Sequence, residues 1–272
     1  MTGPVDSAAA PQPGGLRILL AEDHEINRKV AVLQLEKRGH RVSVATTGRQ
    51  ALERLACDVF DLVLMDITMP EMDGLQATRE IRAGNVPGCP RDIPVVALTA
   101  HALVGDRERF LAAGMDGYLA KPIQTHELAK IIRQVLPGRA APPSTGDAPF
   151  PGPALAFDQA FQQRHFRNDP AFLQDLLTLY REDLAQKVAE CEQALTAGDL
   201  PAIAKAAHTL AGASATVGAV AVREAAVRLS EVARAAADPA LVREYATALR
   251  MAAELTLARL SDAANEASGG TP

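Results

Sequence analysis

The chain has 272 residues, 48% of them hydrophobic, enough for two ordinary domains that each bury a core. Aromatic residues are only 4% and Trp is absent, so packing must rest on Leu, Ile, Val and Ala. A formal charge of −5 argues against non-specific nucleic-acid binding, and three scattered cysteines (Cys57, Cys89, Cys191) fit a reducing cytosol, not a disulfide scaffold or a cysteine metal site.

Met1 to Gly15 lacks the charged and apolar regions of a signal peptide, and its Ala, Pro and Gly content reads as a disordered lead-in. Five short apolar runs then follow, at Arg17–Ala21, Arg41–Ala45, Asp61–Met65, Pro94–Leu98 and Gly117–Ala120. Helical patterns lie between and after them, at roughly Glu25–Arg38, Gly48–Ala56, Leu75–Ala83, Gly105–Ala113 and Thr125–Val135. Five strand–helix units in series predict a parallel sheet covered on both faces. The continuous apolar run Leu62-Val63-Leu64-Met65 suits a strand buried on both sides.

Pro137 to Pro153 is rich in Pro, Gly and Ala and reads as a flexible linker, with a root-mean-square span of about 20–25 Å. Beyond it no strand signal occurs. Asp169-Pro170, Asp199-Leu200-Pro201 and Asp238-Pro239 read as helix starts, and Gly198 as a helix end, which predicts a bundle of four or five helices. The expected division is residues 1–15 disordered, 16–136 an α/β domain, 137–153 linker, 154–264 a helical bundle and 265–272 a disordered tail. No apolar run approaches the roughly 18 residues that span a bilayer, so a cytoplasmic location is expected.

Ligands of open α/β sheets bind beyond the carboxyl ends of the strands. Glu22 and Asp23 follow the first predicted strand, Asp66 the third, Thr99 the fourth, and Lys121 with Pro122 the fifth. Clustered carboxylates repel unless a cation sits among them, and hard oxygen ligands suit Mg²⁺ sharing its shell with a phosphate. Lys121 adds positive charge and Thr99 a hydroxyl, which together are the equipment of a phosphoryl-transfer site with Asp66 as nucleophile. No GxxxxGK[ST] nucleotide loop is present to supply a donor.

The strings Ala21-Glu22-Asp23, Leu64 to Gly74 (LMDITMPEMDG), Leu98-Thr99-Ala100 and Tyr118-Leu119-Ala120-Lys121-Pro122 resemble response-regulator receiver domains over about residues 16–136. The resemblance implies a flavodoxin-like (βα)5 fold with Asp66 as phosphoacceptor. It implies that Glu22, Asp23, Asp66 and the Thr68 carbonyl hold Mg²⁺. Lys121 would contact the phosphoryl group, and Thr99 and Tyr118 would form the switch that reads it. Asn27 matches a common family position near the site, and equally well an ordinary first-turn helix residue.

In the second half, Ile203, Ala207, Leu210, Ser214 and Val217 follow a helical core pattern, which leaves His208 on the opposite side. Its helical neighbours Ala204, Ala211, Gly212 and Ala215 are all small, so the imidazole is expected to stay accessible while another protein approaches closely. A neutral imidazole is a competent nucleophile near neutral pH, although a plain surface histidine reads equally well on chemistry alone. His24, His40, His101, His126 and His165 show no metal-type spacing.

The string from His208 to Ala219 (HTLAGASATVGA), with Phe172 to Tyr180 and Ala197-Gly198-Asp199-Leu200, resembles histidine-phosphotransfer (HPt) domains over about 157–262. The resemblance implies that His208 accepts phosphate and that Lys205, Ala211, Gly212 and Ala215 form the docking face. Ala211 stands where the family usually has a lysine; Lys205, one turn earlier, lies on the same face as a substitute.

The leading expectation is a two-component phosphorelay protein that passes phosphate between aspartate and histidine, with a sensor histidine kinase and a downstream response regulator as partners. No sensor, membrane segment, dimerisation helix or ATP-binding domain is evident, so the chain reads as a free-standing relay protein or as the C-terminal fragment of a hybrid sensor kinase, with no kinase domain of its own. A non-catalytic docking scaffold is the alternative. An aspartate-based phosphatase needs a second Asp where Thr68 stands, and no basic recognition helix serves DNA.

Overall fold

The computed structural model describes residues 15–99, 106–121, 123, 125–136, 169–236 and 238–268. The chain divides into two units, Met1–Ala148 and Pro149–Pro272. The expected lead-in up to residue 14, the linker 137–153 and the tail from residue 269 lie outside the described residues, as do Ala100, His101, Pro122 and His165.

In the first unit the strands β1 (Arg17–Ala21), β2 (Arg41–Ala45), β3 (Leu62–Asp66), β4 (Val95–Thr99) and β5 (Gly117–Ala120) form one sheet. All pairings are parallel and the order is β2-β1-β3-β4-β5. The helices α1 (Glu25–Glu36), α2 (Gly48–Cys57), α3 (Gly74–Ala83), α4 (Asp106–Ala112) and α5 (Thr125–Val135) connect and follow the strands. Successive side chains on a strand point to opposite faces, and the two cores follow that alternation. Leu19, Val63, Met65, Val95 and Ala97 pack with Leu55 of α2, Ile81 of α3 and Phe110 of α4. Ile18, Leu20, Leu62, Leu64, Val96 and Leu98 pack with Leu35 of α1 and Leu128 and Ile132 of α5.

The strands β3 and β4 run one residue further than the apolar runs indicate. The ladder decides this: Asp66 pairs with Leu98, the Ile67 amide donates to the Leu98 carbonyl at 3.4 Å, and Thr99 pairs with Ala120. Asp66 and Thr99 are therefore the last residues of their strands, held by the sheet.

Helix starts follow their capping residues. Thr47 accepts from the Gln50 amide and Asp73 from the Gln76 amide, satisfying donors that the first turn leaves unpaired.

The second unit holds four helices among its described residues: α6 (Pro170–Ala197), α7 (Leu200–Val217), α8 (Val220–Arg234) and α9 (Pro239–Ser268). Asp169 and Asp199 cap α6 and α7 by accepting from the Phe172 and Ala202 amides, each beside a first-turn proline. Gly198 and Gly218 end α6 and α7 in left-handed backbone, with φ of 70° and 76°. Each helix packs against two others in the ring α6–α7–α8–α9–α6, a four-helix bundle. Inside it the Tyr180 hydroxyl and Ser214 Oγ bond at 2.8 Å, and Ser230 donates to the Ala204 carbonyl at 3.0 Å. No helix among the described residues is long and apolar enough to cross a membrane.

Gly74 fixes the end of β3. Its amide donates to the Ile67 carbonyl at 3.2 Å, and a Cβ on it would run into the Asp66 carbonyl oxygen and the Met65 side chain. Gly74→Ala is expected to destabilise the first unit by roughly 1–3 kcal/mol, a Tm loss on the order of 5–10 °C by calorimetry. An unchanged Tm would show that β3 can yield at this point without loss.

Candidate functional site

The sheet brings the strand-end residues of the first unit together. Doubly wound sheets form a crevice where the strand order reverses, here between β1 and β3. Glu22 and Asp23 leave β1 on one side of it, and Asp66 ends β3 on the other. Ligand oxygens of these three carboxylates lie within 4.8 Å of one another. Glu22 and Asp66 are buried, at 1% and 5% exposure.

Lys121 enters from the end of β5. Its Nζ lies 2.6 Å from Glu22 Oε2 and 2.7 Å from Asp66 Oδ2. Its amide donates to the Thr99 carbonyl at 2.7 Å, which ties the lysine to the end of β4. The Thr68 amide donates to Asp66 Oδ1 at 3.3 Å, so both oxygens of Asp66 face donors.

The electrostatics follow from burial. Desolvation pushes Glu22 up to about 7, the Asp66 charge pushes it the same way, and the Lys121 ammonium pulls against both. Asp23 is also raised, first by burial and then by Asp66. Burial alone would lower Lys121, yet the two carboxylates beside it outweigh that and hold it above its ordinary range. With all three ionised, the carboxylates beside one ammonium would leave two negative charges, the charge of one divalent cation, and every ligand offered is a hard oxygen.

Two residues of α1 complete the frame. Asn27, which the sequence leaves open between site and bland helix residue, is buried and donates to Glu22 Oε1 at 3.0 Å. Arg28 has no role in the sequence reading, yet its Nη1 donates to the Glu22 and Asp23 carbonyls at 3.3 and 3.0 Å and clamps the acidic loop. Its acceptors are backbone atoms, which no motif records; the only signal is a basic residue one turn into the helix after an acidic pair. Thr99 is buried at the end of β4. Tyr118 is 37% exposed on β5, with its ring 6.3 Å from that of Phe110.

In the second unit His208 lies mid-way along α7 and is half-buried, with Lys205 exposed one turn earlier. The expected accessible face around it requires correction. Ala211 and Ala215 are only 2% and 5% exposed, Ala204 is 7% exposed, and Gly212 is buried as well. Every residue from Leu210 to Ala219 is buried. The helix packs between α6 and α8, and its short side chains let the surroundings close over positions that a simple core-and-surface periodicity leaves outside. The exposed part of the face comes down to Lys205, with His208 and Thr209 half-covered.

Comparison with known proteins adds two family matches. Residues 18–133 match the family model described as the response regulator receiver domain, and residues 175–263 that of the Hpt domain. The aerobic respiration control sensor protein ArcB of Escherichia coli K12 is 35% identical over 217 residues, which cover 78% of this chain and 27% of ArcB. The sensor protein GacS of Pseudomonas syringae is 40% identical over 130 residues, 48% of this chain and 14% of GacS. The chain thus spans at most about a quarter of these relatives. The magnesium-containing receiver domain of the sensor histidine kinase PA1611 from Pseudomonas aeruginosa is 44% identical and aligns over 44% of this chain and 98% of its own, with a TM-score of 0.41.

Replacing Lys121 tests the charge balance. In Lys121→Met the carboxylates lose their buried partner, and Glu22 shifts further above its unfolded value. A carboxyl whose folded pKa is raised stabilises the fold below the unfolded pKa and loses that stabilisation as pH rises through the folded one. In the wild type the Glu22 share of this loss falls between 4.5 and about 7. In the variant it extends to higher pH, so the stability gap should widen towards about 3–5 kcal/mol in mildly alkaline buffer and close in mild acid. Urea melts across that range check this, and a gap independent of pH would sink the charge account.

Proposed function

From a chain that carries a response regulator receiver domain followed by an Hpt domain, we propose a two-component phosphorelay protein that accepts a phosphoryl group on Asp66 and on His208. The observation that carries the reading is the held carboxylate: Asp66 sits at the end of β3 with Lys121 Nζ 2.7 Å from Oδ2, beside Glu22 and Asp23. A carboxylate is a weak nucleophile towards a dianionic phosphoryl group, and a site that presents cations around it removes the main obstacle, which is charge.

In the first domain an Asp66 oxygen forms the new O–P bond while the bond from phosphorus to the donor breaks, leaving an acyl phosphate. Lys121 orients the carboxylate and offers its ammonium to the arriving oxygens, and the Thr99 hydroxyl at the end of β4 serves as a further donor. Arg28 and Asn27 keep the acidic loop in place. Mg²⁺ held by Glu22, Asp23, Asp66 and the Thr68 carbonyl would supply the remaining positive charge. Tyr118, exposed on β5, is suited to report the phosphorylated state to a partner together with Thr99.

In the second domain a ring nitrogen of His208 forms the N–P bond as an aspartyl phosphate breaks. The partners are then a sensor histidine kinase and a downstream response regulator. Curated relatives such as ArcB and GacS are far longer and named as sensor proteins, which supports a place for this pair of domains within or beside a kinase of that type.

Radiolabelled acetyl phosphate with Mg²⁺ should label the wild-type chain on an alkali-labile acyl phosphate, and Asp66→Asn should abolish that label. Chelation should lower the labelling rate at least tenfold, since the metal supplies much of the charge stabilisation. Phosphoramidate should label Asp66→Asn on an acid-labile phosphohistidine that His208→Gln removes. A chain that takes no label at either residue would be a docking scaffold instead.

A further inference from the structure

The helix α7 is nearly devoid of charge. Along Leu200–Val217 only two side chains are ionisable, Lys205 and His208, and they stand one turn apart. Side chains three apart on a helix are neighbours, with Cβ atoms roughly 5–6 Å from each other. Lys205 is exposed and makes no ion pair among the described residues, and it is the one Lys or Arg that α7 carries.

Phosphorylation of His208 would add roughly one and a half to two negative charges at mid-helix. The helix ends cannot balance them. Their partial charges act within the first and last turns, and His208 is the ninth of eighteen residues. The C-terminal side of the helix cannot balance them either, because Leu210 to Ala219 are buried and carry no cation. Positive charge from α7 itself must come from the turn before the histidine.

We propose that Lys205 is the group of α7 that neutralises the phosphoryl group at His208, lowering the barrier to its arrival and prolonging its lifetime. The inference rests on His208 being the acceptor. In the step itself the imidazole lone pair forms the new N–P bond while the donor's bond to phosphorus breaks. The leaving group is ammonia when phosphoramidate is the donor and a carboxylate when an aspartyl phosphate is. The Lys205 ammonium gains and loses no proton; it stays beside the phosphoryl oxygens. Because the lysine is exposed, its effect is of modest size and sensitive to salt.

The experiment uses the full chain with Asp66→Asn, so that only histidine takes label, and phosphoramidate as donor. Phosphohistidine is followed by phosphorus NMR at low and high salt. Lys205→Met should slow labelling roughly two- to fivefold at low salt, with Lys205→Arg close to wild type, and high salt should bring wild type and Lys205→Met together. Lys205→Met should keep the wild-type Tm, since the side chain is exposed and unpaired. If His208→Gln still takes up phosphate, the acceptor assignment falls and this inference with it. If His208 is labelled but Lys205→Met matches the wild type in rate and salt dependence, the acceptor assignment stands and Lys205 has no such role.

Discussion

The Lys121 ammonium lies 2.6 Å from Glu22 and 2.7 Å from Asp66, with each of the three side chains more than nine-tenths shielded from water. Taking such charges out of water costs several kcal/mol per ion, and an apolar replacement of the same shape is often more stable. A sheet that carries this arrangement at its carboxyl edge is therefore spending stability on something other than folding. The fold makes the outlay possible because the apolar alternation of five strands fills two cores, one on each face, before the edge residues are considered. The edge then has to be held in register. Asp66 is paired across to Leu98, Lys121 is bonded to Thr99, and Glu22 donates its amide to Ala45, so the charged side chains hang from a ladder that spans every strand.

That dependence explains why residues remote from the chemistry appear in the frame. Arg28 touches no carboxylate oxygen, yet it holds the carbonyls of Glu22 and Asp23 and so fixes where their side chains begin. Gly74 touches no charge either, but the helix α3 can start against the end of β3 only because no Cβ meets the Asp66 carbonyl. A site built from mutually repelling groups needs its backbone fixed more firmly than its side chains, because repulsion acts on whatever is free to move.

Much of this was legible in the sequence. Short apolar runs marked the strands, an Asp beside a Pro marked helix starts, and the acids at successive strand ends marked the crevice. The strand ends at Asp66 and Thr99 were off by one, because the last rung of a ladder is decided by the partner strand and not by the residue's own polarity. Arg28 was missed because its acceptors are main-chain oxygens. Around His208 the periodicity misled. An Ala-rich helix offers little contrast between faces, so the residues at i+3, i+4 and i+7 read as surface while the surrounding structure covers them. Composition signals burial only when the exposed face carries groups that must stay wet, and α7 carries just two.

The two sites end up opposite in electrostatic character, and transfer chemistry gives that contrast a meaning. The aspartate stands among an ammonium, an amide donor and a cluster of hard oxygens suited to a divalent cation, whereas the histidine stands on a helix with one neighbouring cation. A phosphoryl group in flight between an aspartate and a histidine belongs to both sites at once, so cations supplied by the aspartate's side stabilise the transition state in either direction. The histidine side then needs only a nucleophile, a way in, and enough positive charge to hold the product once the partner has left. A single exposed lysine matches that smaller requirement. On the proposed relay, stronger neutralisation at His208 would stabilise the phosphohistidine ground state and slow its onward transfer, and a weakly charged helix would leave the group easier to pass on.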